Sequence, residues 1–442
     1  MSADPGSDED VTVPDGEEAD TAAVCSEGPI RCLSHIRTTK AGLRIHSLAA
    51  PMGFGPKDLQ SAYNINAAST ATVKPTVAIV DAYGYTAIES DLAAYRMQYG
   101  LPPCTIASGC LKVVNQTGQT APLPVNPPKT DDWTVETALD IDMVSAACPL
   151  CNILVVQATD SAGDGLFLAQ NAAAALGATV ISNSWGQVEP APTTQVPAPL
   201  ATEETYFAHP NIAIFASSGD SGYNEGGMGP GYPATSAHVI SVGGTNLVRD
   251  TSARGWHETA WTKGGSACSL SIPKPTYQTL SPCKFKATAD IAAVGDPATG
   301  LAVYNAGAGG WIVIGGTSAS SPFIAAIFAA TGNGAQSSGA FIASKASTLY
   351  DVATGTNGTC TAGALLCNAA AGWDGPTGYG TPNASALMPV SGTGKVNSPG
   401  ADDGSQDVTG GCSTSGGGAG GGGAGGGVLL GLALLGLRRR RS

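Results

Sequence analysis

The chain has 442 residues, enough for one large α/β domain or two ordinary ones. Only 12% of it is charged, Gly numbers 60, and the net charge is −13. That balance excludes nucleic-acid binding, which needs a basic patch, and its low-charge, small-residue character fits a stable extracellular protein. Residues 1–20 hold eight acids and no Lys or Arg, and residues 1–51 together read as an acidic disordered head and linker.

Order is expected from Gly55-Pro56-Lys57-Asp58-Leu59 onward. Thr76–Val80 reads as a strand, Ala87–Tyr99 as an amphipathic helix, Glu136–Ala147 as a helix and Ile153–Gln157 as a strand. Leu166–Leu176 reads as a helix, followed by strands at Val180–Ser184, Ile212–Ser217 and Val239–Val242. Apolar strands alternating with helices predict an α/β fold, a doubly wound parallel sheet with helices on both faces. Sites in such sheets gather at the carboxyl ends of the strands. The pattern covers 52–388 as one domain and contains no internal repeat.

Residues 389–427 form a Gly/Ser-rich linker, and 428–442 combine the apolar run Val428–Leu437 with Arg438–Arg441. Ten apolar residues are too few to cross a bilayer, which takes about twenty. Gly411-Cys412, a flexible spacer, an apolar stretch and an arginine cluster read in that order as a surface-sorting signal, with a plain disordered tail as the alternative.

Ten of the eleven cysteines fall into close pairs: Cys25/Cys32, Cys104/Cys110, Cys148/Cys151, Cys268/Cys283 and Cys360/Cys367. Local disulfides in an oxidising compartment are expected, with a redox or half-zinc role for Cys148-Pro149-Leu150-Cys151 as the lesser reading. Met1–Asp10 is acidic and polar, so no signal peptide is visible. A misplaced start or a partly processed chain reconciles this with a secreted or outer-surface location.

Chemistry centres on Gly315-Gly316-Thr317-Ser318-Ala319-Ser320-Ser321-Pro322, which precedes a buried apolar run. Glycines uncover Ser318 at a helix start, Pro322 is expected in the first turn, and free N–H groups there can stabilise an oxyanion. A Gly/Ser turn capping an ordinary helix is the bland alternative. None of His35, His46, His209, His238 and His257 opens a helix in an HG[TS] context, and all read as loop or surface residues. A carboxylate base is the substitute. Glu136 and Asp140 share a helix face, and buried together they would share a proton, unless the face is simply solvated. Asp220, in Ser217-Ser218-Gly219-Asp220 after a strand, would donate to an oxyanion when protonated, or serve merely as a turn residue.

These three motifs, in this order, resemble the sedolisin family of serine-carboxyl peptidases over roughly residues 52–388. The resemblance implies a subtilisin-like fold and endopeptidase activity on protein or peptide substrates at acidic pH. In it Ser318 is the nucleophile, Glu136 the base and acid, Asp140 its partner and Asp220 the oxyanion donor. Trp185, in Ser182-Asn183-Ser184-Trp185-Gly186, matches a strand end that lines the family's substrate cleft. The resemblance also implies one structural calcium, held by carboxylates of Asp351 and Asp374 and carbonyls of Val352, Ala370 and Gly372. Ala370 stands where the family has glycine, and an Asp-rich loop is the alternative.

The tail is similar to the C-terminal sorting signals of myxobacterial surface proteins, in which the cysteine marks the processing site. A monomer touching a membrane only through this tail is expected. Two departures stand out. About fifty residues precede the domain, where the family typically has a folded propeptide of well over a hundred. Asp81 also follows the strand Thr76–Val80, where it either joins the acidic network or, as preferred here, acts structurally. A non-catalytic binding module on a peptidase scaffold is the alternative function. An α/β-hydrolase esterase fits less well, because the second glycine of a nucleophile elbow and a downstream His are missing.

Overall fold

A run of consecutive apolar residues is stable as a strand where both faces of its sheet are covered, and in Thr76–Ala82 every residue after Thr76 is buried. The strand lies inside a sheet ordered Trp256–Ala260, Ile240–Arg249, Ala213–Ser217, Val180–Asn183, Thr76–Ala82, Asn152–Ala158, Leu111–Asn115. Neighbours run parallel except at the Trp256–Ala260 edge, and Ile291–Val294 adds a parallel pair to Ile240–Arg249. The computed structural model describes residues 10–12, 19–25, 28–65, 74–190, 198–360 and 362–388. The linker and tail expected over 389–427 and 428–442 lie outside them.

The doubly wound α/β architecture follows from the chain's path. From Thr76–Ala82 it reaches the edge at Leu111–Asn115, returns to Asn152–Ala158, and then crosses to Val180–Asn183 on the other side. Asp81, Ser184 and Ser217–Asp220 therefore lie at carboxyl ends around one switch point. The helices Trp133–Ala147 and Thr317–Ala330 pack on each other and on Thr76–Ala82. Trp133–Ala147 is buried almost all round, as its small and apolar residues on every face require, and it starts a turn earlier than Glu136.

Pro322 is the sixth residue of its helix, not part of the first turn. Its missing N–H would have bonded the Ser318 carbonyl; that oxygen instead accepts from the Ser184 hydroxyl at 3.3 Å.

The expected disordered head over 1–51 is replaced, in its described part, by strands. Asp20–Ala23 pairs antiparallel with His35–Thr38, which continues onto Gly310–Gly315. His46–Ser47 joins the same strand, and Arg31–Cys32 pairs with Trp185–Val188. The strands are two to four residues long, and most of them pair with strands far along the chain, so no local periodicity reveals them. All five cysteine pairs form disulfides.

Phe328, on the serine helix, is fully buried and meets Phe215 and Phe341 edge-on, with centroids 4.9 and 5.6 Å away. Phe328→Ala should lower stability by about 3–5 kcal/mol in urea unfolding, through lost burial and a residual cavity.

Candidate active site

Ser318 is the second residue of Thr317–Ala330, which follows the strand Gly310–Gly315 through Gly316. Gly316 has φ +123°, and a Cβ there would lie 2.7 Å from Asp220 Oδ2 and closer still to the Leu33 carbonyl oxygen. Glycine is required both by the backbone angle and by what crowds it. The Ser318 hydroxyl donates to the Ser184 carbonyl at 3.0 Å and accepts from the Leu33 N–H at 3.1 Å. The Ser318 N–H donates to the Leu33 carbonyl at 2.9 Å.

Glu136 and Asp140 sit one turn apart on Trp133–Ala147, and neither is exposed to solvent. The Ser34 hydroxyl donates to Glu136 Oε2, while Oε1 is buried with no hydrogen-bond partner among the described residues. Burial, and then the charge of Asp81, hold Glu136 well above the usual carboxyl range, with Ser318 and Ser34 opposing. Asp140 accepts from the Ser184 hydroxyl at 2.8 and 2.7 Å. It too is raised, by burial and then by Asp81 and Glu136.

Asp81 is buried, and burial pushes it up to about 7 against the opposing Thr137 hydroxyl. Its charge acts on Glu136 and Asp140, so it belongs to the acidic network. Three such carboxyls in one dry region cannot all be ionised, so protons are shared among them over the acidic range.

Asp220 Oδ1 accepts from both the N–H and the hydroxyl of Thr317, each at 2.8 Å. Its Oδ2 is buried without a hydrogen bond among the described residues, 3.8 Å from His35 Nε2 and beside the Leu33 carbonyl. Burial raises Asp220 to about 7, against the hydrogen bonds from Thr317. Below that pH it carries a proton that Oδ2 can offer to a neighbouring oxygen. Burial lowers His35 to about 4, so its imidazole is neutral at ordinary pH. Contrary to expectation, it is part of the site's wall.

Ser318, Glu136, Asp140 and Asp220 thus come together as expected. Trp185 does not line the cleft. Its indole is fully buried, donates to the Val80 carbonyl at 2.9 Å and packs edge-on against Phe167. Alternation along a strand explains this: when Trp185 points inward, Gly186 faces the opposite side. Gly186, Gln187 and Val188 line a cavity of about 270 Å³ that also reaches Ser217–Ser221 and Glu225.

Sequence reasoning missed Ser184, Ser34 and Glu225. Ser184 carries a legible signal, since it ends an apolar strand directly before Trp185; Ser34 carries none. Glu225 is raised to about 8, by burial first and then by the charge of Asp220.

Near the C-terminal end, Asp351 accepts from the Gly372 N–H at 3.3 and 3.1 Å, and Asp374 accepts from the N–H groups of Ala370 and Thr377. Burial, and to a lesser extent the neighbouring Asp351, lift Asp374 to about 7.

A model of the subtilase family matches residues 133–380. Kumamolisin of Bacillus sp. (strain MN-32) is 30% identical over 368 residues, covering 76% of this chain and 63% of the relative. Sedolisin of Pseudomonas sp. (strain 101) is 29% identical over 369 residues, covering 74% and 60%. The chain therefore spans less than two thirds of the length of these curated relatives. A solved structure of Pseudomonas sedolisin, described as a serine-carboxyl proteinase complexed with two molecules of pseudo-iodotyrostatin, superposes with a TM-score of 0.61 at 26% identity. It covers 77% of this chain and 98% of that one.

The raised carboxyls make stability depend on pH. Asp81 and Asp220 move from 3.8 to about 7, and Glu225 from 4.5 to about 8. The folded state then binds more protons than the unfolded one across this window. Their contribution is full below about pH 4 and is lost as pH rises through the folded values. The urea midpoint should be higher at about pH 4 than at about pH 8, with the fall reduced in Asp220→Asn and Glu225→Gln. A midpoint that climbs with pH would contradict this assignment.

Proposed function

The chain belongs to the subtilase family, in its sedolisin group, and we propose that it is a serine-carboxyl endopeptidase cleaving proteins or peptides at acidic pH. The observation that carries this reading is the convergence on Ser318 of a buried, protonatable Glu136 and a buried Asp220 carboxyl. Ser318 Oγ attacks the substrate carbonyl carbon and passes its proton to Glu136, the member of the Glu136–Asp140 pair that is ionised for this step, and the negative charge moves to the carbonyl oxygen. The oxyanion takes the Ser318 N–H and the Asp220 proton. Glu136 returns the proton to the leaving amine, and water then hydrolyses the acyl-serine. Acidic pH favours the cycle because an ionised Asp220 repels an oxyanion that its acid form stabilises.

Ser318→Ala and Glu136→Gln should each cost at least about a hundredfold in kcat on an acid-unfolded protein, and Asp220→Ala about a hundred- to thousandfold. Activity in wild type should fall as pH rises past about 7, following Asp220. Activity confined to neutral pH would defeat the carboxylate mechanism.

We infer in addition that Asp351 and Asp374 hold a calcium ion with the carbonyls of Val352, Ala370 and Gly372. Hard oxygens of this kind suit calcium, and a divalent cation would favour the ionised form of Asp374 that burial, and then Asp351, disfavours. Ala370 lies outside the left-handed region, so the alanine in place of glycine adds no backbone strain. Among the described residues no three His, Cys, Asp or Glu side chains cluster as ligands, so carbonyls must complete the set. A chelator should lower the thermal midpoint by about 5 °C or more in wild type and leave Asp374→Asn unmoved. An unchanged wild-type midpoint would reject the site.

Five disulfides support a secreted or outer-surface location for a monomeric enzyme. No helix among the described residues is long and apolar enough to cross a membrane. Membrane contact is assigned to the tail at 428–442.

A further inference from the structure

The amino ends of the parallel strands, opposite the ends that carry Ser184 and Ser217–Asp220, bring two histidines together. Ala213–Ser217 and Ile240–Arg249 pair in parallel, with Phe215 level with Ile240. His209 precedes the first strand and His238 the second, so each sits in a loop that enters one of these neighbours. A third loop joins them, because the Ala213 N–H donates to the Gly334 carbonyl at 2.7 Å, shortly before Ser337. His209, His238 and Ser337 line one cavity of about 210 Å³, which Phe207 and Pro210 help to wall.

The His209 imidazole is oriented as a ligand. Its Nε2 is buried without a hydrogen bond among the described residues, a costly state for a polar atom. The Tyr206 carbonyl accepts from the same ring, and with Nε2 unpartnered the donor is Nδ1. Nε2 is thereby left with a bare lone pair. This is the tautomer of a metal-bound histidine whose other nitrogen donates to a backbone carbonyl. Burial first, and to a smaller degree His238, keep the ring neutral against the pull of that carbonyl.

The side chain of His238 is exposed, but its backbone is held on both sides. The buried Lys286 ammonium donates to the carbonyls of Ser236 and Val239, the latter at 2.7 Å. The Ala237 N–H donates to Glu204 Oε2 at 3.1 Å, and the Tyr232 hydroxyl donates to Oε1 at 3.0 Å. Glu204 belongs to the helix Ala198–Phe207, which leads directly into His209. The loops that carry the two imidazoles are therefore tied to each other by protein contacts alone, as a preorganised site requires.

We propose that His209 and His238 bind one zinc-like divalent transition-metal ion, with water and the Ser337 hydroxyl completing its coordination. Imidazole nitrogens suit zinc, copper and nickel, whereas calcium takes oxygen ligands, so this site is distinct in chemistry from the one assigned to Asp351 and Asp374. Among the described residues no third His, Cys, Asp or Glu joins the pair, so the ion keeps solvent in its remaining positions. Ser318 bonds to Ser184 at the opposite ends of the strands. The ion accordingly braces three loops and takes no part in peptide cleavage, and the site stands whether or not the chain is a peptidase.

The test titrates the full chain with zinc by calorimetry at about pH 7.5, where imidazoles are neutral, with calcium in excess to fill oxygen-ligand sites. Wild type should bind zinc, and its thermal midpoint should rise by about 3 °C or more when free zinc is a hundredfold above the dissociation constant. His209→Ala and His238→Ala should each weaken binding by about tenfold or more, while His257→Ala, at an exposed position on Trp256–Ala260, should leave it unchanged. Ser337→His, which adds a third imidazole to the cavity, should tighten binding by about tenfold or more. His238 is exposed, so its alanine variant should keep the zinc-free midpoint of wild type, and weakened binding there reports a lost ligand and not a lost fold. No zinc binding by wild type would overturn the site. So would a binding curve left unchanged in the double variant His209→Ala/His238→Ala, or a Ser337→His variant that binds no tighter.

Discussion

The site depends on the cost of burying carboxyl groups without countercharges. Glu136, Asp140, Asp81 and Asp220 are withdrawn from water, and the opposing forces on them are mainly hydroxyl and amide hydrogen bonds from Ser34, Ser184 and Thr317. Desolvation therefore dominates and favours the protonated forms. Chemistry that elsewhere uses an imidazole can then run through acids, because a carboxyl that is half protonated in the working range can both take and return a proton.

The backbone supplies the rest of the machinery. Gly316 lets the strand Gly310–Gly315 turn abruptly into the serine helix, so the Thr317 N–H reaches Asp220 and the Ser318 N–H reaches the Leu33 carbonyl. Pro322 breaks one helical hydrogen bond, and the Ser184 hydroxyl takes up the freed Ser318 carbonyl while also holding Asp140. Ser184 thus links Ser318 and Asp140. Its own carbonyl accepts from Ser318 and from Leu33, so one residue serves the catalytic group and the bound backbone together.

The N-terminal segment pairs with strands of the domain. Its acidic composition describes only the first twenty or so residues. Beyond them, Ile30, Cys32 and Ile36 are buried against the domain, and His35 closes over Asp220.

Much of the design was legible without coordinates. Thr76–Val80, Ile153–Gln157 and Ile212–Ser217 are runs that only a covered parallel sheet can bury, and the i,i+4 spacing fixed Glu136 and Asp140 on one helix face. Close cysteine pairs marked the five disulfides. These are local properties, carried by neighbours in the chain. Trp185 facing the core, Asp81 joining the acids, Glu225 beside Asp220 and Leu33–Ser34 lying across Ser318 were decided only by tertiary structure. Desolvation, and contacts between segments some three hundred residues apart, exist only once the chain has folded.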